Sequence, residues 1–258
     1  MGIKNFSREE FIQSIIGATL ASLSGLTYFS GIATQKSNNL DEVVEIPEEA
    51  MVLFQGDSIT DAGRSRSHET PNTVSGLGNG YAFLVSSDLL AGYPTKNITC
   101  YNRGIGGDKV FQLADRWERD CLDLKPDILS ILVGVNDFWH TLDFDYQGDA
   151  GTYEKDYRKL LSETRKALPD VKLILGEPFA LQGGSAVSDD WYPRFPRYQK
   201  ACRDIADEFG AAFIPYQSIF NQASKQVPAT YWSGDGVHPT LAGNQLMANA
   251  WLETLKRL

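Results

Sequence analysis

The chain has 258 residues, 33 of them acidic and 24 basic, which gives a formal net charge of −9. It has no cluster of Lys and Arg that would neutralise a phosphate backbone, and this argues against a nucleic-acid partner. The cysteines, Cys100, Cys121 and Cys202, are too few for a disulfide scaffold and too widely spaced for a zinc knuckle. They are predicted to be core thiols, with one disulfide as the alternative.

The N-terminal segment resembles an export signal. Residues 11–33, FIQSIIGATLASLSGLTYFSGIA, contain no charge and follow Lys4 and Arg8. A charged start before an apolar middle is typical of a secretory signal. The alternative is an uncleaved membrane anchor, because the stretch is long enough to span a bilayer, although its Ser, Thr and Gly residues make it weakly apolar. We therefore predict that residues 1–33 are a signal peptide or membrane anchor and that the protein is periplasmic or extracellular.

Residues 34–50 are polar and acidic and predict a linker, which leaves 51–258 as one domain. In this domain short apolar runs alternate with amphipathic stretches. The apolar runs predict strands at 51–54, 98–102, 128–133, 172–176 and 211–215. The amphipathic stretches predict helices over 81–93, 110–124, 153–168, 197–209 and 241–258. The alternation predicts an α/β fold of βαβ units, in which helices cover both faces of a parallel sheet.

A lone serine follows the first predicted strand. The sequence there reads GDSITDAGR, which places Ser58 just beyond the carboxyl end of the strand. Open α/β sheets bind ligands at that edge. Because a serine hydroxyl is inert until a base removes its proton, Ser58 is a candidate nucleophile if a histidine lies beside it. The alternative is an ordinary turn in which Asp57 or Ser58 caps a helix.

The sequence offers three histidines as the base. His68 lies in a polar loop, and His140 follows NDFW with no carboxylate arranged to orient it. His238 lies in SGDGVHPTLAG, three residues after Asp235, where a turn can hold the carboxylate against one imidazole nitrogen. His238 is therefore the predicted base, with a simple turn cap by Asp235 as the alternative.

An acyl-transfer site also needs donors for the developing oxyanion. Gly106 and Gly107 follow the second predicted strand and permit close approach of the backbone. Asn136 follows the third and offers a neutral amide. The ends of parallel strands share one edge, so these residues are predicted to converge near Ser58, although each taken alone is equally a turn residue.

Four blocks of the sequence match, in order and spacing, those of the SGNH hydrolases, also called GDSL esterases. They are Gly56 to Ser58, Gly104 to Gly107, Gly134 to Asp137 and Asp235 to His238. Longer stretches, GDSITDAGR, RWERD, KPDILSILVGVND and HPTLAG, resemble most the bacterial xylan and carbohydrate acetylesterases of this group. The resemblance covers about residues 51–255. It implies a flavodoxin-like three-layer α/β/α sandwich with a five-stranded parallel sheet, and no metal or cofactor.

The resemblance also implies roles for individual residues. Ser58 is the implied nucleophile, His238 the general base and then acid, and Asp235 its orienting partner. The backbone amides of Ser58 and Gly107 and the side chain of Asn136 are the implied oxyanion donors. The implied activity is hydrolysis of short acyl esters, above all acetyl esters, on carbohydrate such as xylan fragments.

Substrate contacts are predicted near these blocks, at Asp57, Arg64, Trp139 and Trp232. Arg64 has a second interpretation, an ion pair with Asp61. Aromatic side chains suit sugar faces, but they suit acyl chains and simple packing as well. A lysophospholipase or thioesterase, and a non-catalytic carbohydrate-binding protein, are therefore alternative functions. The sequence also leaves a homo-oligomer open.

Overall fold

The computed structural model describes residues 46–258. The segment 1–33, predicted to direct export, and most of the predicted linker lie outside this range. Five strands form one parallel sheet in the order β2-β1-β3-β4-β5. The strands are β1 (Met51–Gly56), β2 (Thr99–Asn102), β3 (Ile128–Leu132), β4 (Lys172–Gly176) and β5 (Ala212–Ile214). The predicted α/β fold with a five-stranded parallel sheet is confirmed.

Helices cover both faces of the sheet. In the described part of the chain they are α1 (Ser58–Asp61), α2 (Val74–Leu77), α3 (Tyr81–Gly92), α4 (Val110–Asp115), α5 (Val135–Asp143), α6 (Ala150–Ala167), α7 (Pro196–Glu208), α8 (Tyr216–Ala223), α9 (Ala229–Trp232) and α10 (Leu241–Leu255). The central strands are short apolar runs because both of their faces are covered: every residue of β3 is buried. No helix of residues 46–258 is long and apolar enough to cross a membrane.

Three features differ from the sequence-based expectation. The stretch from Gly134, predicted as a turn, is the start of α5. The helix predicted over 110–124 ends at Asp115, and a π-helical turn follows at Glu118–Leu122. The end of the predicted linker is part of the core, since Ile46 and Ala50 are each 1% exposed. The three cysteines are buried and unpaired, as expected for core thiols.

Candidate active site

The chain turns sharply at the end of β1. Gly56 has a φ of +154°, and a Cβ there would collide with the carbonyl oxygen of Leu132 on β3. Asp57 then caps α1, and its Oδ1 accepts a hydrogen bond of 3.0 Å from the N–H of Ile59. Ser58 is therefore the first residue of α1, at the carboxyl edge of the sheet.

Ser58 contacts a histidine from a distant part of the chain. Its Oγ lies 2.8 Å from Nε2 of His238, and Nδ1 of the same imidazole lies 2.6 Å from Oδ2 of Asp235. The structure thus brings together the predicted nucleophile, base and orienting acid in a continuous relay. His68 lies elsewhere, in an exposed loop where Ser65 and Ser67 contact its Nδ1.

The turn that presents His238 is organised around Asp235. Oδ1 of this aspartate accepts hydrogen bonds from the backbone N–H of Val237 (2.8 Å) and of His238 (2.7 Å). Partial burial raises the pKa of Asp235, but the hydrogen bonds from His238 and Val237 outweigh it and hold the pKa below its usual value. Asp235 is therefore an anion at neutral pH, which places the imidazole proton on Nδ1 and leaves Nε2 as the acceptor that faces Ser58.

Two of the three predicted oxyanion donors lie on segments other than that of Ser58. Gly107 has a φ of +87°, a backbone conformation that favours glycine. Asn136 lies in the first turn of α5, where it is 3% exposed and its Nδ2 donates a hydrogen bond of 3.2 Å to the carbonyl of Asp108. The hydrogen bonds of the described residues use neither the backbone N–H of Ser58 nor that of Gly107. Both amides are therefore unoccupied donors at this edge.

Asp61 and Arg66 form a second polar contact at the site that the sequence analysis missed. Oδ2 of Asp61 accepts a hydrogen bond of 3.0 Å from the N–H of Gly106 and lies 2.6 Å from Nη2 of Arg66. Asp61 thus holds the glycine loop that contains Gly107. The position of Asp61 in the same short helix as Ser58 was the available signal, whereas no pattern distinguished Arg66 in its polar loop.

Arg64 has a different partner from the one considered in the sequence. Its guanidinium donates to the carbonyl of Gly104 (2.8 Å) and pairs with Glu69 (3.3 Å), and its side chain is 1% exposed. The predicted ion pair with Asp61 is wrong, because Arg66 occupies that position. Buried in this way, the Arg64 side chain supports the loop from within and does not face a substrate.

The other predicted substrate contacts differ in exposure. Asp57 is 1% exposed and Trp232 is 5% exposed, so neither side chain lies on the open surface of the site. Trp139 is partly buried, and its ring centroid lies 6.4 Å from that of His238. Its Nε1 donates a hydrogen bond of 2.6 Å to Asp143, which fixes the indole beside the imidazole. Trp139 is thus the one of these aromatic rings that adjoins the relay.

Two residues with predicted oxyanion donors, Ser58 and Asn136, are each next in the sequence to a buried aspartate, Asp57 and Asp137. Burial raises the pKa of Asp57 to about 8, against the opposing hydrogen bond from Ile59, and burial raises the pKa of Asp137 to about 7. In each group one carboxyl oxygen has no partner among the described residues. Asp57 is therefore mostly neutral at pH 7, which keeps a negative charge away from the place where an oxyanion would form.

The chain is similar to known ester hydrolases. Residues 54–246 match the model of the GDSL-like lipase/acylhydrolase family. An acetylxylan esterase of Geobacillus stearothermophilus is 36% identical over 209 residues, which are 79% of this chain and 93% of that protein.

Solved structures give the same result. A crystal structure of a protein from Parabacteroides merdae, provisionally described as a GDSL-like lipase, is 49% identical with a TM-score of 0.81, and the match covers 82% of this chain and 98% of that one. Axe2, an acetylxylan esterase from Geobacillus stearothermophilus, is 33% identical with a TM-score of 0.73, over 81% and 95% of the two chains. Similar structures include catalytic mutants of Axe2 in which a serine, a histidine or an aspartate is replaced by alanine.

Proposed function

Since this chain belongs to the GDSL-like lipase/acylhydrolase family, we propose that it is a serine esterase that removes acetyl groups from carbohydrate such as xylan fragments. The observation that carries the proposal is the relay from Ser58 Oγ to His238 Nε2 and on to Asp235, with contacts of 2.8 and 2.6 Å. A serine in such contact has the base that its hydroxyl needs for attack on an ester.

The geometry gives each residue a role in the reaction. His238 takes the hydroxyl proton through Nε2 as Ser58 Oγ attacks the acetyl carbonyl, and the anionic Asp235 stabilises the imidazolium. The negative charge on the carbonyl oxygen is received by the N–H groups of Ser58 and Gly107 and by Nδ2 of Asn136. His238 then gives its proton to the departing sugar hydroxyl, and the acetyl group stays on Ser58. Water, activated by the same imidazole, releases acetate.

The relatives favour carbohydrate over lipid as the alcohol part of the ester. Axe2 is described as an acetyl-xylooligosaccharide esterase, and the chain matches most of its length. A lipid esterase is not favoured. The non-catalytic alternative would be supported by a missing member of the relay, and here Ser58, Asp235 and His238 are all present and in contact.

The test measures hydrolysis by the full chain of chromogenic esters from acetyl to octanoyl, and acetate release from acetylated xylo-oligosaccharides. We expect the rate on the chromogenic series to fall steeply beyond acetyl and the sugar acetates to be cleaved. The control is Ser58→Ala, which loses the hydroxyl and keeps the rest of the relay.

Each contrary result has a definite meaning. A maximum at octanoyl contradicts the acetyl preference, and activity that survives in Ser58→Ala contradicts the role of the serine. A well-folded protein that cleaves no ester supports the binding alternative.

Export stays a prediction from residues 1–33, which precede the domain and resemble a secretory signal or an anchor. Fractionation of expressing cells tests export, with recovery of the full chain only in the cytoplasm as the contrary result.

Assembly into a homo-oligomer likewise stays a prediction, checked by light scattering.

A further inference from the structure

Two of the segments that contribute a predicted oxyanion donor also present an exposed aromatic side chain a few residues later. Gly107 is followed by Phe111 in the first turn of α4, and Asn136 is followed by Phe144 at the end of α5. Phe111 is 38% exposed and Phe144 is 65% exposed. Tyr146 stacks on Phe111, with ring centroids 5.9 Å apart and planes inclined by 21°. We call Phe111, Phe144 and Tyr146 the aromatic platform.

The aromatic platform is continuous with the active site. Asn136, His140 and Phe144 follow one another at intervals of four residues, so they share one face of α5. The ring centroids of His140 and Phe144 are 4.6 Å apart. Cε1 of His140 lies 3.9 Å from the position that a Cβ on Gly107 would take. The width of one imidazole therefore separates the platform from the predicted oxyanion donors.

Polar groups lie between the rings. Nζ of Lys109 is 3.0 Å from Nδ1 of His140, 5.2 Å from the ring centroid of Tyr146 and 5.6 Å from that of Phe111. Partial burial, and then the positive charge of Lys109, lower the pKa of His140, so its neutral imidazole accepts a hydrogen bond from the ammonium group. Lys109 is only 7% exposed, so its ammonium group holds the imidazole and the two rings together.

The aromatic platform is preformed. The backbone N–H groups of Phe144 and Tyr146 both donate to the carbonyl of His140, at 3.2 and 3.0 Å, which ties the loop to the end of α5. The ring of Tyr146 lies against Gly148, where a Cβ would collide with it. An ordered apolar surface that stays in water beside an active site is typical of a ligand contact.

We propose that the aromatic platform binds a second sugar unit of the substrate, next to the unit that bears the acetyl group; this inference rests on the proposed function. The C–H face of a pyranose stacks on exposed aromatic rings such as those of Phe111 and Phe144. An acyl chain fits this surface less well, because the platform is open to solvent and has a charged nitrogen among its rings. Phe111, Phe144 and Tyr146 are therefore specificity-determining residues for oligosaccharide length.

The test compares acetylated xylo-oligosaccharides of increasing length with an aryl acetate that has no sugar. In the unaltered protein kcat/KM is expected to rise with the number of sugar units. Phe144→Ala and Phe111→Ala are expected to raise KM for the longer oligosaccharides by about three- to tenfold each. Both variants leave kcat/KM on the aryl acetate within about twofold, and Phe144→Tyr keeps the stacking face and the oligosaccharide activity. The matched control is Val74→Ala, which removes an apolar side chain that is 70% exposed on α2.

A direct binding measurement complements the kinetics. Xylotetraose without acetyl groups is titrated into Ser58→Ala and into Ser58→Ala combined with Phe144→Ala, and the second protein is expected to bind it several-fold more weakly. If Phe111→Ala and Phe144→Ala lower kcat/KM equally on sugar and aryl esters, the rings have a structural role and the inference is overturned. It is also overturned if neither substitution changes the rates on the oligosaccharides. If the unaltered protein cleaves aryl acetate but no sugar acetate, the proposed function fails. The sugar-binding role of the aromatic platform is overturned separately if Ser58→Ala with and without Phe144→Ala bind xylotetraose equally well.

Discussion

Two regions with aspartates flank Ser58, and their environments differ. In the turn before His238, Asp235 is partly exposed and accepts hydrogen bonds from its neighbours, so its pKa is lowered. In the turn before Ser58, Asp57 is 1% exposed and one of its carboxyl oxygens has no partner among the described residues, so its pKa is raised to about 8. The same side chain is thus charged in the turn before His238 and mostly neutral in the turn before Ser58.

The difference follows from the number of donors and the access to water. Where donors are present, a carboxylate keeps its charge, and where burial dominates, the proton stays. The outcome suits the proposed mechanism, in which a positive charge develops on His238 and a negative charge develops near Asn136. An anion is favourable beside the imidazole and unfavourable near the oxyanion.

The largest expected effect on activity comes from changing each of the two aspartates to asparagine, which replaces a carboxyl group by an amide. Asp235→Asn is expected to lower kcat on an aryl acetate by about 10⁴-fold, because the amide no longer fixes the imidazole tautomer or stabilises the imidazolium. Asp57→Asn is expected to keep kcat within about tenfold of that of the unaltered protein, because an asparagine caps α1 equally well and a neutral group is retained. Equal losses in the two variants would contradict the difference in charge between the regions.

A smaller effect is expected on the oxyanion side. Asn136→Ala removes one predicted donor and is expected to lower kcat by on the order of a hundredfold or more, with the fold retained. Thermal unfolding checks the fold, and Asn221→Ala on the exposed surface of α8 is the matched control. Turnover equal to that of the unaltered protein would exclude Asn136 from the oxyanion site.

The smallest expected effect concerns stability and pH. Because the pKa of Asp57 is raised, the folded state holds this proton more tightly than the unfolded chain does, and stability is expected to fall as pH rises from about 4 to about 8. Asp137 and Glu177, whose pKa values burial raises to about 7, act in the same direction. The fall in Tm between about pH 5 and pH 8 is therefore expected to be smaller by a few degrees in Asp57→Asn than in the unaltered protein. It does not disappear, because Asp137 and Glu177 still contribute.

Differential scanning fluorimetry measures this pH effect. Asp88→Asn, which changes an exposed acid on α3, serves as the control and is expected to leave the pH dependence unchanged. A pH dependence that is the same in Asp57→Asn and in the unaltered protein would show that Asp57 is ionised in the fold across this range.

The sequence predicted the sheet and the relay because both depend on local signals. The three central strands, β1, β3 and β4, are short apolar runs that are almost entirely buried, a pattern that favours strands of a covered parallel sheet. Asp235 and His238 are three residues apart in one turn, so their contact is also local. Only the convergence of Ser58 with His238 is a long-range contact, and the shared edge of a parallel sheet makes it predictable.

The features that were missed depend on long-range contacts without a pattern. The helix from Val135 follows Gly134 and contains Asn136 and Asp137 in its first turn; these three are typical turn residues, and tertiary packing decides in favour of the helix. Arg66 pairs with Asp61 across a polar loop in which Arg64 was the equally plausible partner. The platform residues Phe111 and Phe144 lie 33 positions apart along the chain, and only the fold brings them to the same surface.

The contact of Ser58 with His238 spans 180 positions of the sequence. The two halves of the reactive group therefore belong to opposite ends of the domain, and neither end is competent by itself. A chain that has folded around β1 but has not yet received the turn at Asp235 holds a serine without a base, which leaves substrates intact. Ester hydrolysis consequently reports that the first strand and the turn at Asp235 have come together, and activity that appears during refolding marks the formation of that long-range contact.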